Sequence, residues 1–177
     1  MKFEILDRKT AFSGRAFSVQ QLNVRTPDDR MHVFDLVHHP GAVVLVPVDD
    51  AGRILFVRQF RVGSNSDLLE LPAGTLNPGE PPEECAAREI REETGYAARE
   101  LQKIGSFYLT PGYSDEFLHI FLARGLYPAP LQGDADEFIQ PEAIPADEVL
   151  AQARRGELND GKTLAALLLA MDRLKKV

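Results

Sequence analysis

The sequence predicts an α/β fold, an α/β/α sandwich with a mixed β-sheet, plus a small N-terminal antiparallel β-subdomain. Three observations predict it. The start of the 177-residue chain alternates apolar and polar residues in strand fashion. A short continuous apolar run, AVVLVPV at residues 42–48, reads as a buried strand. Helical patterns and further strands then follow one another to the end of the chain. Residues 1–39 are expected to form the N-terminal β-subdomain and residues 40–177 the main domain.

In chain order, residues 17–24 and 31–37 are candidate strands around the turn-like TPDD of residues 26–29. After His39-Pro40-Gly41 comes the buried strand, then a turn at residues 49–52, then RILFVRQF (53–60) as its expected hairpin partner. From Val62 the pattern loosens into VGSNSD. A helix is expected over residues 82–94. Pro81 and Pro82 suit a first turn, where missing amide hydrogens cost nothing, and Gly95 supplies a left-handed end. Residues 101–108 and 117–122 look like strands, proline-rich LYPAPLQGD (126–134) like a loop, and residues 146–155 and 162–174 like two closing helices.

Composition narrows the class. A hydrophobic content of 44% suffices for a core at this length. No apolar run approaches the ~20 residues that span a bilayer, and the start MKFEILDRKT lacks the apolar centre of a signal peptide, so a cytoplasmic protein is expected. Lys and Arg total 20 against 27 Asp and Glu, with no basic tract, which argues against general nucleic-acid binding. The single cysteine, Cys85, forms no internal disulfide and falls on the apolar side of the expected helix, where a buried small hydrophobe is favoured over a nucleophile. His32, His38, His39 and His119 stand at no metal-type spacing and read as structural.

The chemistry concentrates in GTLNPGEPPEECAAREIREETGY (74–96), which sets Gly74, Glu80, Arg88, Glu89, Glu92, Glu93 and Gly95 at fixed separations. With each residue type used at about 6%, seven specified positions coincide by chance on the order of 10⁻⁸ per starting point. On a helix, Glu89, Glu92 and Glu93 project side by side while Cys85, Ala86 and Ile90 offer an apolar face. Three clustered carboxylates repel one another. They are tolerated if solvated or if they share a hard divalent cation, for which Mg²⁺ is the natural occupant. Arg88 precedes Glu92 by four residues and is placed to orient it.

The stretch resembles the Nudix box, glycine-x5-Glu-x7-Arg-Glu-apolar-x-Glu-Glu-x-glycine-apolar, with Ile90 and Tyr96 at the apolar positions. The resemblance implies hydrolysis of a nucleoside diphosphate linked to another moiety. Mg²⁺, with Mn²⁺ as the alternative, would be held by Glu89, Glu92 and Glu93, with Glu80 and Arg88 as supports. Outside the box, VRQFRVGSNSDLLELPAG (57–74), LTPGYSDE (109–116), GDADEFI (133–139) and GELNDGKTLAALLLA (156–170) resemble the ADP-ribose pyrophosphatase branch, with Pro111 sixteen residues after Gly95 as that branch's marker. That branch implies a metal contact from the backbone carbonyl of Ala73. It also implies substrate contacts from Arg61, Glu116 and Phe12, and a homodimer with exchanged N-terminal strands; Arg58, a local cation that a negative protein needs near an anionic diphosphate, and Glu70 are expected at the same site. The catalytic set expected on this basis is Glu92, Glu93, Glu137 and Arg88.

Two departures bear on detail. Ala135 stands where the branch often has the first glutamate of its acidic loop, leaving Glu137 at the second, and Phe34 stands where an arginine often helps hold the nucleotide. A hydrolase of another nucleoside diphosphate sugar therefore stays open beside ADP-ribose. A nucleotide-sensing module without turnover is the rival from another class, but its usual mark, a lost box carboxylate, is not found. Phe12 is as well explained by packing as by stacking on a base.

Overall fold

A computed structural model of the chain describes residues 2–133 and 138–174. The chain divides into two units, residues 1–41 with 107–117 and residues 42–106 with 118–177.

In the first unit, β1 (Glu4–Ser13), β2 (Ser18–Arg25) and β3 (Met31–His38) form an antiparallel sheet in the order β1-β2-β3. The turn expected from TPDD joins β2 to β3: the Asp29 amide donates to the Thr26 carbonyl at 2.9 Å, and Asp29 takes φ 62°, a left-handed conformation that Asp tolerates better than most residues. β1 escaped the sequence reading. Bulges between Ile5 and Asp7 and between Thr10 and Phe12 break its two-residue alternation. The His38 ring and Asp115 pair at 2.7 Å, and the His39 amide donates to the same carboxylate at 2.8 Å, so both histidines are structural here.

The second unit holds two sheets. β4 (Ala42–Pro47) is buried at every position and sits inside a four-stranded mixed sheet, β7-β4-β9-β8, parallel to β9 (Phe117–Pro128) and antiparallel to the short β7 (Ala73–Thr75), with β8 (Tyr96–Tyr108) beyond β9. Burial of every residue explains its unbroken apolar run. β5 (Arg53–Arg61) lies instead at the centre of an antiparallel sheet β10-β5-β6, between β6 (Ser66–Glu70) and β10 (Gln140–Pro145). The expected β4–β5 hairpin is therefore corrected. The turn at residues 49–52 forms, but its pairing stops at a single bridge between Val48 and Ile54, because β7 and β9 take both edges of β4.

The helix α1 (Pro82–Thr94) begins with proline at its first turn and ends at Gly95, whose φ of 78° is left-handed and whose amide donates to the Arg91 carbonyl at 3.1 Å. Its apolar face, Cys85, Ala86 and Ile90, packs on Val43 and Leu45 of β4 and Phe121 and Ala123 of β9. Full burial of a side chain such as Ile90 contributes roughly 2 kcal/mol. α2 (Ala146–Arg155) packs on β5 and β10, and α3 (Gly161–Leu174) on β4. Among the described residues no helix is long and apolar enough to cross a membrane.

Candidate active site

Arg88 is the centre of the box. Its Nε and Nη2 donate to the two Glu80 oxygens at 3.0 and 2.9 Å, its Nη1 to Glu89 at 2.5 Å and to Glu92 at 2.8 Å, and its Nη2 also to the Thr75 carbonyl at 3.3 Å. Glu80 is fixed in turn by the Asn77 amide at 2.9 Å. The Arg88 hydrogen bonds hold the Glu80 carboxyl down at about 2, so this pair stays ionised and clamps the loop before α1 onto the helix. Arg88 thus spends its donors on the protein and orients Glu89 and Glu92.

The carboxylates themselves are less solvated than a polar helix face suggests. Glu89 and Glu93 are 8% and 6% exposed, because the turn and strand entering the box lie over that side of α1. Gly74 makes this possible: a β-carbon there would overlap the Glu89 carboxyl. The glycine at the head of the box serves close approach, whereas Gly95 serves backbone conformation. The Ala73 amide donates to Glu93 at 3.0 Å, which sets that carboxylate beside the Ala73 backbone.

Glu89, Glu92 and Glu93 offer only oxygen donors, two of the three carboxylates are buried, and the Ala73 backbone lies beside Glu93. That chemistry fits a hard divalent cation, whose charge offsets their mutual repulsion. Among the described residues no three acidic, histidine or cysteine side chains already converge on one point, since Arg88 draws Glu89 and Glu92 toward itself. The apolar neighbour Cys85 is wholly buried, and burial, with the Glu80 and Glu89 charges, pushes its thiol up to about 12, which excludes a nucleophile at neutral pH.

Residues 37–167 match the family model described as the NUDIX domain. The chain belongs to the Nudix family. It is 38% identical over 162 residues to an ADP-ribose pyrophosphatase of Bacillus subtilis (strain 168), covering 90% of this chain and 88% of that protein. It is 34% identical over 158 residues to a methanol dehydrogenase activator of Bacillus methanolicus, covering 88% and 85%. A solved structure, that of an ADP compounds hydrolase, matches with a TM-score of 0.85 and 27% identity over 99% of this chain and 95% of the other.

Beside the Nudix box, Arg61 grips Glu70 with Nε and Nη2 at 2.8 and 2.7 Å. Those bonds raise the Arg61 pKa, against the cost of burial, and the Glu93 and Asp160 charges add to the effect, which puts Arg61 within electrostatic reach of the box. Glu70 is 1% exposed, so its part in a ligand site is to hold Arg61. Burial works to raise its carboxyl, but Arg61 and Lys162 overcome this and keep it below the usual range.

Arg58, expected to act with Arg61, is turned away from it. The β5–β6 register is regular, so residues three apart on β5 face opposite sides of the sheet, and Arg58 pairs with Glu142 of β10 at 2.6 Å. A cleft of about 460 Å³ opens at the C-terminal end of α1, lined by Glu92, Glu93, Gly133, Ile139 and Pro141 among others. Glu137 lies outside the described residues. Phe12 and Glu116 belong to the first unit, where Phe12 is 56% exposed with its ring 6.5 Å from that of Phe17, and the Leu109 amide donates to the Glu116 carbonyl. Lys162, which pairs with Glu70 and Asp160, and Asp160, whose charge acts on Arg61, were missed in the sequence. Their signal was the helix start DGKT, an Asp followed three residues later by the first buried position of α3.

Proposed function

We propose that this protein hydrolyses the diphosphate bond of ADP-ribose, with Mg²⁺, to AMP and ribose 5-phosphate. The observation that carries the reading is the complete box, in which Arg88 and Gly74 hold Glu89 and Glu92 beside the Glu93–Ala73 contact, with Arg61 in electrostatic reach. The similarity to an ADP-ribose pyrophosphatase over most of both chains supports the substrate.

In this reading Glu89, Glu92, Glu93 and the Ala73 carbonyl would hold the metal, which would neutralise charge on the diphosphate and lower the pKa of water. Arg61 binds a diphosphate or terminal-ribose oxygen through the Nη1 edge that its bonds to Glu70 leave available. Water forms a bond to one phosphorus, the bridging P–O bond breaks, and the leaving phosphate takes the electron pair. The proton released by water goes to a carboxylate, for which Glu92 and Glu137 are the candidates. Glu92 keeps 21% of its side chain exposed, more than Glu89 at 11%.

A homodimer with exchanged N-terminal strands belongs to the same proposal. β1 and β3 expose Ile5, Met31, Val33 and Phe34, with Met31 and Val33 on one face of β3 and Phe34 on the other, apolar area that a second copy would cover in part. Light scattering tests it, and a monomer at micromolar concentration would remove it. Cytoplasmic placement agrees with a nucleotide substrate. The exposed Phe34 also favours a second reading, hydrolysis of a different nucleoside diphosphate sugar, because an arginine is expected there for ADP-ribose.

Product release from ADP-ribose, ADP-glucose, GDP-mannose, UDP-glucose and NADH, each with and without Mg²⁺, tests the proposal. Equal amounts of AMP and ribose 5-phosphate, formed from ADP-ribose in preference to the others and only with Mg²⁺, are expected. Preference for another sugar nucleotide would transfer the box chemistry to the second reading.

A further inference from the structure

The first turn of α3 carries three consecutive contacts that the box chemistry does not use. Asp160 caps the helix, accepting from the Thr163 amide at 3.0 Å and the Thr163 hydroxyl at 2.6 Å. The Thr163 hydroxyl, wholly buried, accepts in turn from the Leu71 amide at 2.9 Å. Lys162 reaches back to Glu70 and also pairs with Asp160 at 3.0 Å. Glu70 is the residue that grips Arg61.

Four charges are therefore gathered, all but Arg61 with little exposure: Arg61 and Lys162 against Glu70 and Asp160. They balance. Without Lys162, Glu70 and Asp160 face Arg61 alone, and two carboxylates compete for the guanidinium that the proposed site needs for a diphosphate oxygen. Without Thr163, the Leu71 amide loses its partner two residues before Ala73, in a segment otherwise held by the Leu45 amide on the Pro72 carbonyl at 2.8 Å and by the Ala73 amide on Glu93. Glu70 and Leu71 are adjacent, so the helix end fixes the side chain of one and the backbone of the next.

We propose that Lys162 and Thr163, at the start of α3, are positioning residues of the diphosphate site: Lys162 aims Arg61 through Glu70, and Thr163 holds the turn that carries Ala73. The role rests on the ADP-ribose reading only for its kinetic arm. Neither Lys162 nor Thr163 needs to touch the substrate.

The test uses the full chain and the variants Lys162→Met, Lys162→Gln and Lys162→Arg, alone and combined with Arg61→Ala. Two readouts are followed: kcat and KM for ADP-ribose with Mg²⁺, and the hydrogen-exchange rate of the Arg61 Nε–H by NMR without substrate or metal. Lys162→Met and Lys162→Gln are expected to raise KM about tenfold with less than about threefold loss in kcat, and Lys162→Arg to restore most of it. The Arg61 Nε–H exchange rate is expected to change at least about tenfold in Lys162→Met and to stay near the wild-type rate in Lys162→Arg, as a guanidinium no longer held on Glu70 alone requires. In the Arg61→Ala background the further loss of Lys162 should change KM less than about twofold, since the two act as one unit. Additive effects in the double variant, or unchanged Arg61 exchange in a folded Lys162→Gln, would overturn the proposal. Wild-type protein that leaves ADP-ribose intact while Arg61 exchange still responds to Lys162 would remove the substrate reading and keep the coupling.

Discussion

The Glu89 carboxyl occupies the space that a side chain on Gly74 would fill. The loop entering the box and the helix carrying its carboxylates are thus spaced for each other, and the position of one glutamate depends on an atom that is absent from a residue fifteen positions earlier.

Gly74→Ala is expected to fold, because the overlapping atoms are the end of a flexible side chain, and to lose at least about tenfold in kcat as Glu89 is displaced. Circular dichroism would establish the fold. A kcat within about twofold of wild type would show that the displacement of Glu89 is immaterial to turnover.

Glu93→Gln keeps the shape and an acceptor for the Ala73 amide but removes a buried charge. Turnover is expected to fall by about a hundredfold or more with little change in melting temperature, and added Mg²⁺, which raises the melting temperature of the wild type by binding the folded state, should do so less in the variant. Near-normal turnover would remove Glu93 from the metal set.

Arg61→Ala is expected to raise KM for ADP-ribose about tenfold or more, while Arg58→Ala changes it less than about twofold, because the two side chains leave β5 on opposite faces. Equal effects would return both arginines to one site.

The Glu80 carboxyl is held at about 2 in the folded protein, below its usual 4.5. A depressed carboxylate binds fewer protons folded than unfolded, so it stabilises the fold above the unfolded value, and that contribution drains away as pH falls from about 4.5 through about 2. Melting temperature against pH should therefore fall less steeply for Glu80→Gln than for wild type in that window. Parallel curves would mean that the Arg88–Glu80 pair carries no stability.

How far the sequence could be read depended on whether the cause was local. α1 was legible to its terminal residues because Pro82, Gly95 and the helical spacing of Cys85, Ala86 and Ile90 lie within one short segment. β10 was not, since Pro141 and Pro145 argue against a strand and are accommodated only because β10 lies at a sheet edge. The pairing of β4 with β9 rather than β5 joins residues more than seventy positions apart, and the Lys162–Glu70 contact more than ninety. No periodicity encodes such distances. The box residues themselves were legible as chemistry, but the burial of Glu89 and Glu93 depends on what the preceding turn covers, and that is a matter of packing.

The burial of Cys85 has a practical consequence. A thiol that is wholly enclosed and stays protonated reacts slowly with maleimides, iodoacetamide and peroxide, so the native cysteine need not be removed before labelling. A single new cysteine on the surface of α2, at Arg154 for example, would take a fluorophore or spin label selectively, leaving the helix that carries the carboxylates untouched.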